Sequence, residues 1–423
     1  METDTKSSTV AFDRRQLYRP FLERLNPIAS LRELVDRNLI VPRDHDPRDA
    51  GQPPIHVAFA DSAELSPGTQ MALVGGIGSG KTTEMLLTQR VLGRHSDAVN
   101  IFVDLVDYTN LNELNTGAIL ATVGMRLYFL LKKTERELPD VKSAHTKLLG
   151  LAFGKTDWVP VSEDYDVDED YNVDYEEEPM RRVDVPGLMK LRFPALRREV
   201  KEVKELLFSI ASPRIENGAQ ITLLIDGLDR LIRAERFREF AEQDLRALKG
   251  TKMTVIVVAP LLLWYDKSRF LQDYFDLVKH IPAAAASPQD SAFLKQVLER
   301  RGALELMDRT EVTSIAKYSG GVLRDLLTLA RSAAEYAYRD DQDRIGRDHV
   351  RVAVKQLGNR YLAGLGKTHR FRLRRLAEND EFPIENSIAR ELLHNRQVLE
   401  YFSRGRESFA VHPALAKVLP KPA

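Results

Sequence analysis

The chain has 423 residues, with 62 Lys and Arg balanced by 62 Asp and Glu and no cysteine. A polypeptide of this length holds roughly two or three domains, and its neutral charge balance gives no global pull towards nucleic acid or anionic membrane, so any polyanion site must be local. The lack of cysteine excludes disulfides, thiolate metal sites and a cysteine nucleophile, and fits a cytoplasmic setting.

The first ten residues are polar and lack the basic and apolar regions of a signal peptide. Residues 27–35 read as a short amphipathic helix capped by Ser30, residues 38–42 as an extended piece, and residues 44–54, polar and proline-bearing, as a loop. Met71, Ala72, Leu73 and Val74 then form an apolar run with the character of a buried strand. It leads into Gly75, Gly76, Ile77, Gly78, Ser79, Gly80, Lys81 and Thr82, a complete G-x-x-x-x-G-K-[ST] phosphate-binding loop, and Thr83 continues into a helix. In that order, Gly75, Gly78 and Gly80 permit left-handed backbone and close approach, so that N–H groups point inward at phosphate oxygens. Lys81 adds a charge to the β- and γ-phosphates, Thr82 offers a hydroxyl to Mg²⁺, and the helix contributes its positive end.

Residues 100–105 read as the next core strand and residues 117–131 as an apolar helix. An acidic insertion follows at about 157–180, where residues 163–178 hold ten Asp or Glu and three Tyr. Asp166, Asp168, Asp170, Asn172, Asp174 and Glu177 imitate the spacing of a calcium loop, but Tyr171 stands where the sharp turn needs glycine. The segment reads as a solvated, self-repelling insertion or as a partner-docking or autoinhibitory element. Residues 221–230 make a second apolar strand ending in Asp226, with Asp229 three residues on; Asp226 is placed to sit beside Mg²⁺ with Thr82. Residues 253–264 are apolar yet far short of the roughly 20 that span a bilayer, so no membrane span is expected. Helical patterning runs from 327 to 337 and again from 348 to 357.

Near the C-terminus, two helices at about 369–377 and 387–394 precede two alternating stretches, 398–402 and 408–412, around Arg404-Gly405-Arg406. Residues 361–423 contain eleven Lys or Arg and seven Asp or Glu, a net of +4. A hairpin with Arg404 and Arg406 at its tip can grip DNA phosphates, or the unit can serve as a protein-contact module.

The pairing of the loop at 75–82 with the strand at 221–230, including its D-G-L-D-R ending, resembles the AAA+ and STAND branch of P-loop ATPases. The later strand at 255–260 and the segment Ser319-Gly320-Gly321-Val322-Leu323-Arg324 extend the resemblance, and the layout is similar to initiator-type ATPases of the Orc/Cdc6 kind. The resemblance implies an α/β P-loop NTPase core with a parallel sheet flanked by helices at 55–282, a helical lid at 283–360 and a winged helix at 361–423. Residues 1–54 would lie near the nucleotide. It implies ATP and Mg²⁺ as ligands, catalytic roles for Lys81, Asp226, Asp229 and Arg324, a protein partner or effector, and a nucleotide-dependent homo-oligomer in which Arg269 is a guess for a trans-acting arginine. The absence of a guanine-reading N-K-x-D string leans towards ATP.

The chain departs from the pattern at two positions. Gly227 stands where AAA+ members place the glutamate that polarises water, leaving Asp229 either to orient that water or to make a structural ion pair; slow turnover follows. Ala259-Pro260 replaces the polar end of the sensor strand, which leaves Arg324 as the γ-phosphate candidate. The expected activity is that of a regulatory ATPase switch, in stress or phage defence if the STAND resemblance extends to role. The alternative is a DNA-associated loader using its winged helix.

Overall fold

The computed structural model describes residues 14–26, 34, 37–43, 51–94, 98–108, 111, 116–153, 197–231, 233–284, 288–379, 382–384, 386–403 and 406–420. The acidic stretch 163–178, Arg404 and most of the expected helix at 27–35 lie outside these residues. The chain divides into two compact units, one formed by Arg43–Pro282 with Pro383–Asn395, the other by Met1–Pro42, Ala283–Phe382 and Arg396–Ala423.

The core of the first unit is a single sheet of five parallel strands, β1 (Gln70–Gly75), β2 (Ala98–Asp104), β3 (Gln220–Asp226), β4 (Thr254–Ala259) and β5 (Leu277–Ile281), in the order β2-β3-β4-β1-β5. β1 and β4 are buried at every position, which is why their sequences are apolar runs rather than alternating ones. The helices Ile55–Leu65 and Lys81–Leu92 pack with them around Phe59, Met71, Leu73, Met85 and Ile256. Residues Gly75 to Thr82 thus connect strand to helix as the motif requires. β5 was not legible in the sequence, because Lys279 and His280 interrupt its apolar run. It is an edge strand paired only with β1; Lys279 is half-buried there, while His280 is buried and stacked on Trp264 at 5.0 Å between ring centroids.

Between β2 and β3 the chain inserts the helices Ala118–Leu130, Pro139–Phe153 and Arg197–Glu216, which pack on one another. The first is fastened from a distance. A single π-helical turn, Ala241–Leu245, brings the fully buried Asp244 to the helix start, where its carboxylate accepts N–H groups from Gly117 at 2.6 Å and Ile119 at 3.1 Å. Burial pushes the Asp244 carboxyl up to about 7, against the pull of the backbone donors, which favour its charged form. A folded-state value above the unfolded one means that folding takes up a proton. The associated stability is therefore complete below pH 3.8 and lost as the pH rises through about 7. Against an Asp244→Asn variant, the wild type is expected to lose on the order of 4 kcal/mol over that window. Urea unfolding at a series of pH values measures the difference, and a pH-independent one would refute the assignment.

The second unit is helical apart from one hairpin. It holds the helices Pro288–Glu299, Arg309–Tyr318, Leu323–Arg339 and Arg347–Leu362, with the N-terminal helix Arg14–Arg24 packed on Leu323–Arg339 and the Tyr18 hydroxyl donating to the Gln342 carbonyl at 2.9 Å. The winged-helix elements follow in chain order: the helices Lys367–Asn379 and Ser387–His394, then the antiparallel hairpin of β6 (Val398–Ser403) and β7 (Arg406–Val411), and last the short helix Pro413–Val418, which packs on Arg347–Leu362. The helix Ser387–His394 belongs to the first unit.

A buried polar cluster closes the second unit. Asp325 accepts the Tyr361 hydroxyl at 2.6 Å and lies 3.2 Å from Arg396 and 3.3 Å from His412 Nε2. Burial alone would raise its carboxyl, but His412 and the Arg396 guanidinium outweigh that and hold it below the usual range. The His412 Nδ1 accepts the Ala414 N–H at 3.2 Å, which leaves Nε2 to carry the ring proton towards Asp325. Among the described residues, no helix is long and apolar enough to cross a membrane.

Candidate functional site

In an open parallel sheet, ligands bind beyond the carboxyl ends of the strands. Those ends bring together the loop after β1, Asp104 at the end of β2 and Asp226 at the end of β3. Asp104 and Asp226 are register partners. β1 and β3 are not neighbours, since β4 runs between them, so the loop must bridge about two strand spacings, roughly 10 Å. β4 ends in Ala259-Pro260 and presents no polar side chain there.

The loop is shaped by its glycines, though not all in the manner expected. Gly78 and Gly80 are left-handed, at φ 83° and 107°, and Gly80 begins the helix Lys81–Leu92. Gly75 is not left-handed. It is required for space, because a Cβ there would stand 2.6 Å from the Ile281 carbonyl oxygen and 2.8 Å from Ser79 Oγ. Ser79 Oγ is itself buried with no hydrogen-bond partner among the described residues. The first-turn N–H groups at Lys81, Thr82 and Thr83 have no intrahelical acceptor, as at any helix start. Together these groups make a donor-rich cradle suited to phosphate.

Lys81 is only 4% exposed. Its ammonium donates to the carbonyls of Gly75 at 2.9 Å and Gly76 at 2.7 Å, and its third partner is Asp229 Oδ2 at 2.9 Å. Thr82 Oγ1 donates to Asp226 Oδ2 at 2.6 Å, and the Gly227 N–H to Asp226 Oδ1 at 2.6 Å. Four of the residues picked from the sequence, Lys81, Thr82, Asp226 and Asp229, are thereby gathered at one point. Arg324 is not among them: it is exposed, the second residue of the helix Leu323–Arg339 in the other unit. Arg269, the guess for a trans-acting group, is exposed and left-handed at φ 53° before the helix Phe270–Tyr274.

Burial, then the neighbouring Asp229 and also Asp104, push the Asp226 carboxyl up, against the Thr82 hydroxyl and the Gly227 N–H, which pull it down. Three carboxylates crowd this end of the sheet, balanced locally by Lys81. A hard dication fits such a donor set, because a hydroxyl and a carboxylate already in contact supply the oxygen ligands that Mg²⁺ takes, with phosphate and water completing its shell.

The structure explains why a glutamate does not follow Asp226. Gly227 is left-handed at φ 95°, and a Cβ there would sit 2.8 Å from Asp104 Oδ1 and 3.2 Å from Val106 Cγ2. A side chain there would be strained by the backbone and would have to displace the Asp104 carboxylate. The turn Leu228–Arg230 instead delivers Asp229, 8% exposed, to the ammonium of Lys81. Its ion-pair partner is Lys81, from the phosphate loop, and not Arg230.

Two contributors escaped sequence reasoning. Glu84, in the first turn of the phosphate-loop helix, accepts the backbone N–H of His56 at 3.2 Å and approaches its ring Nδ1 at 2.9 Å, which pins the helix Ile55–Leu65 beside the loop. His394 ends the helix Ser387–His394; burial pushes its imidazole down while the Asp229 carboxylate pulls it up, so it lies within electrostatic reach of the site. An acidic residue in a helix's first turn could have suggested Glu84. Nothing in the local string around His394 marks it.

No protein-family model matches the chain, and no curated protein matches it. Among solved structures it is similar in fold to the Aeropyrum pernix ORC1 protein, whose structure was solved in complex with DNA, at 14% identity over 94% of this chain and 95% of that one, with a TM-score of 0.45. Cdc6p from Pyrobaculum aerophilum is similar at 13% identity over 94% and 98% of the two chains, TM-score 0.40. The Thermotoga maritima RuvB Holliday junction branch migration motor is similar at 13% identity over 87% and 93%, TM-score 0.41.

Proposed function

We propose that the chain is an ATP-binding, slowly hydrolysing P-loop ATPase of the AAA+/STAND kind, a switch that couples nucleotide state to engagement of a separate partner or effector protein. The observation that carries this reading is the convergence of Lys81, Thr82, Asp226 and Asp229, with Thr82 and Asp226 in direct hydrogen bond across the sheet. Bound with Thr82 and Asp226, Mg²⁺ would supply charge neutralisation between the β- and γ-phosphates. The loop N–H groups would hold the phosphates, and Lys81 would turn its ammonium from Asp229 towards the γ-phosphate. Asp229, relieved of that partner, would be left to orient the attacking water. Phosphoryl transfer is mostly positioning and charge stabilisation, so a base that must first exchange its partner predicts slow turnover rather than none.

Asp229→Asn keeps the size of the side chain and removes its basicity. It is expected to retain ATP binding and to lower turnover by about 10²- to 10⁴-fold, the usual contribution of a general base. Isothermal titration with a non-hydrolysable analogue and phosphate release under saturating ATP measure the two separately. Unchanged turnover would reduce Asp229 to a structural counter-ion of Lys81; absent binding by the wild type would sink the whole reading.

Arg324 is proposed as the nucleotide-sensing arginine on its sequence position alone. A role in stress or phage defence rests on the STAND resemblance. A second reading, a DNA-associated loader, draws on Arg406, exposed at the first position of β7.

A further inference from the structure

The helix Lys367–Asn379 has two contrasting sides. Leu373 and Leu376 are buried, at 0% and 1% exposure, and fix its rotation. On the other side Lys367, Phe371 and Arg375 follow one another at four-residue spacing, and all three are exposed. Phe371 is 57% exposed, with Lys367 one helical turn before it and Arg375 one turn after. Residues 361–379 contain five Lys or Arg and one Glu, Glu378. Arg374 is engaged, its Nε donating to the Pro420 carbonyl at 3.1 Å. Lys367, Arg372 and Arg375 make no ion pair with any described residue.

A lone exposed ring needs no explanation. A ring set between two cations that make no ion pair does, because the pattern joins a flat apolar face to a net positive charge, which Glu378, exposed three residues after Arg375 on the same side, reduces without cancelling. The platform is preformed: the helix packs on β7, Phe382 meets Phe409 at 5.4 Å between ring centroids, and β7 adds the exposed Arg406 to the same unit.

We propose that this stripe binds single-stranded nucleic acid, with Phe371 stacked on a base and Lys367 and Arg375 on the phosphates to either side. Stacking accepts any base, and the cations track the backbone, so recognition is of the strand rather than of a sequence. An acidic peptide would satisfy the cations but make no particular use of the ring. In a duplex the base faces are already stacked and closed to it, so insertion would first have to unstack a step. The proposal goes beyond the nucleotide switch and is independent of it, since none of these residues belongs to the phosphate site.

The test is fluorescence anisotropy with the full chain and three labelled probes: oligothymidine, an abasic strand of equal length, and a duplex. Phe371→Ala is expected to weaken oligothymidine binding by about 5- to 100-fold, with Phe371→Tyr restoring it and the abasic strand unaffected by either change. Lys367→Gln with Arg375→Gln is expected to weaken both single strands and to lower the salt slope by roughly 1.4, at about 0.7 for each phosphate no longer neutralised. Unchanged thermal unfolding and ATP turnover in the variants separate these losses from misfolding and from failure of the ATPase reading. The proposal is overturned if oligothymidine does not bind at about 50 mM salt, or if Phe371→Ala leaves its binding intact. Duplex binding that is tighter and depends on Arg406, or displacement of the strand by a peptide of residues 163–178 at equal concentration, would overturn it in favour of the hairpin or of an acidic protein segment.

Discussion

Lys81→Ala is expected to lower triphosphate affinity by about 10- to 150-fold, the worth of a charge-assisted contact of about 1.5–3 kcal/mol. It should also destabilise the fold. The ammonium is buried and serves three acceptors at once, two loop carbonyls and Asp229. Removing it strands the Asp229 carboxylate beside Asp226, whose own carboxyl is already pushed up by burial and by that neighbour. Loss of one member of a buried ion pair costs about 3–5 kcal/mol, most of it the unpaired charge left behind. The double variant Lys81→Ala with Asp229→Asn is therefore expected to recover much of the stability and none of the affinity. Urea unfolding without nucleotide and calorimetric titration with it measure the two effects. Additive losses of stability in the double variant would show that Lys81 and Asp229 are not coupled.

Gly227→Glu, which puts a glutamate directly after Asp226, is expected to destabilise the chain without speeding hydrolysis. A non-glycine residue at φ 95° costs about 1–3 kcal/mol. The new Cβ would meet the Asp104 carboxylate at 2.8 Å, and the added charge would join three carboxylates already there. Gly227→Ala carries the backbone and contact penalties without the charge, so the two variants compared isolate the repulsion. Both should unfold at lower urea than the wild type, the Glu variant lowest, and neither should hydrolyse ATP faster. A stable, faster Glu variant would mean that the site tolerates a glutamate base directly after Asp226 and that Asp229 does not serve in that role.

Much of the core was legible because its signals are local. A buried parallel strand must be apolar along its length, so the runs at 71–74, 100–105, 221–226 and 255–259 could be placed within a few residues of β1, β2, β3 and β4. The C-terminal hairpin announced itself by alternation around Arg404-Gly405-Arg406. β5 did not, since Lys279 and the buried His280 break its apolar run, and the same run of types is compatible with a loop. Asp244 gave no sign of capping a helix that begins more than a hundred residues earlier; only a π-helical turn brings it there.

Within the site, the phosphate loop was readable from the string alone, because left-handed backbone at Gly78 and Gly80 and the strand-to-helix order are properties of adjacent residues. By itself the sequence determined which residues could hold phosphate and metal. Which of them meet was decided by the tertiary structure. Thr82 touches Asp226 across 144 positions of chain, and Asp229 pairs with Lys81 rather than Arg230. Gly75, expected to serve by its backbone freedom, serves by leaving room for Ile281, a neighbour supplied by β5. The physical reason is common to all of these. Backbone conformation and apolar periodicity are set by neighbours within a few residues, whereas ion pairs, burial and the space around a missing side chain exist only once the sheet has brought distant segments within a few ångströms.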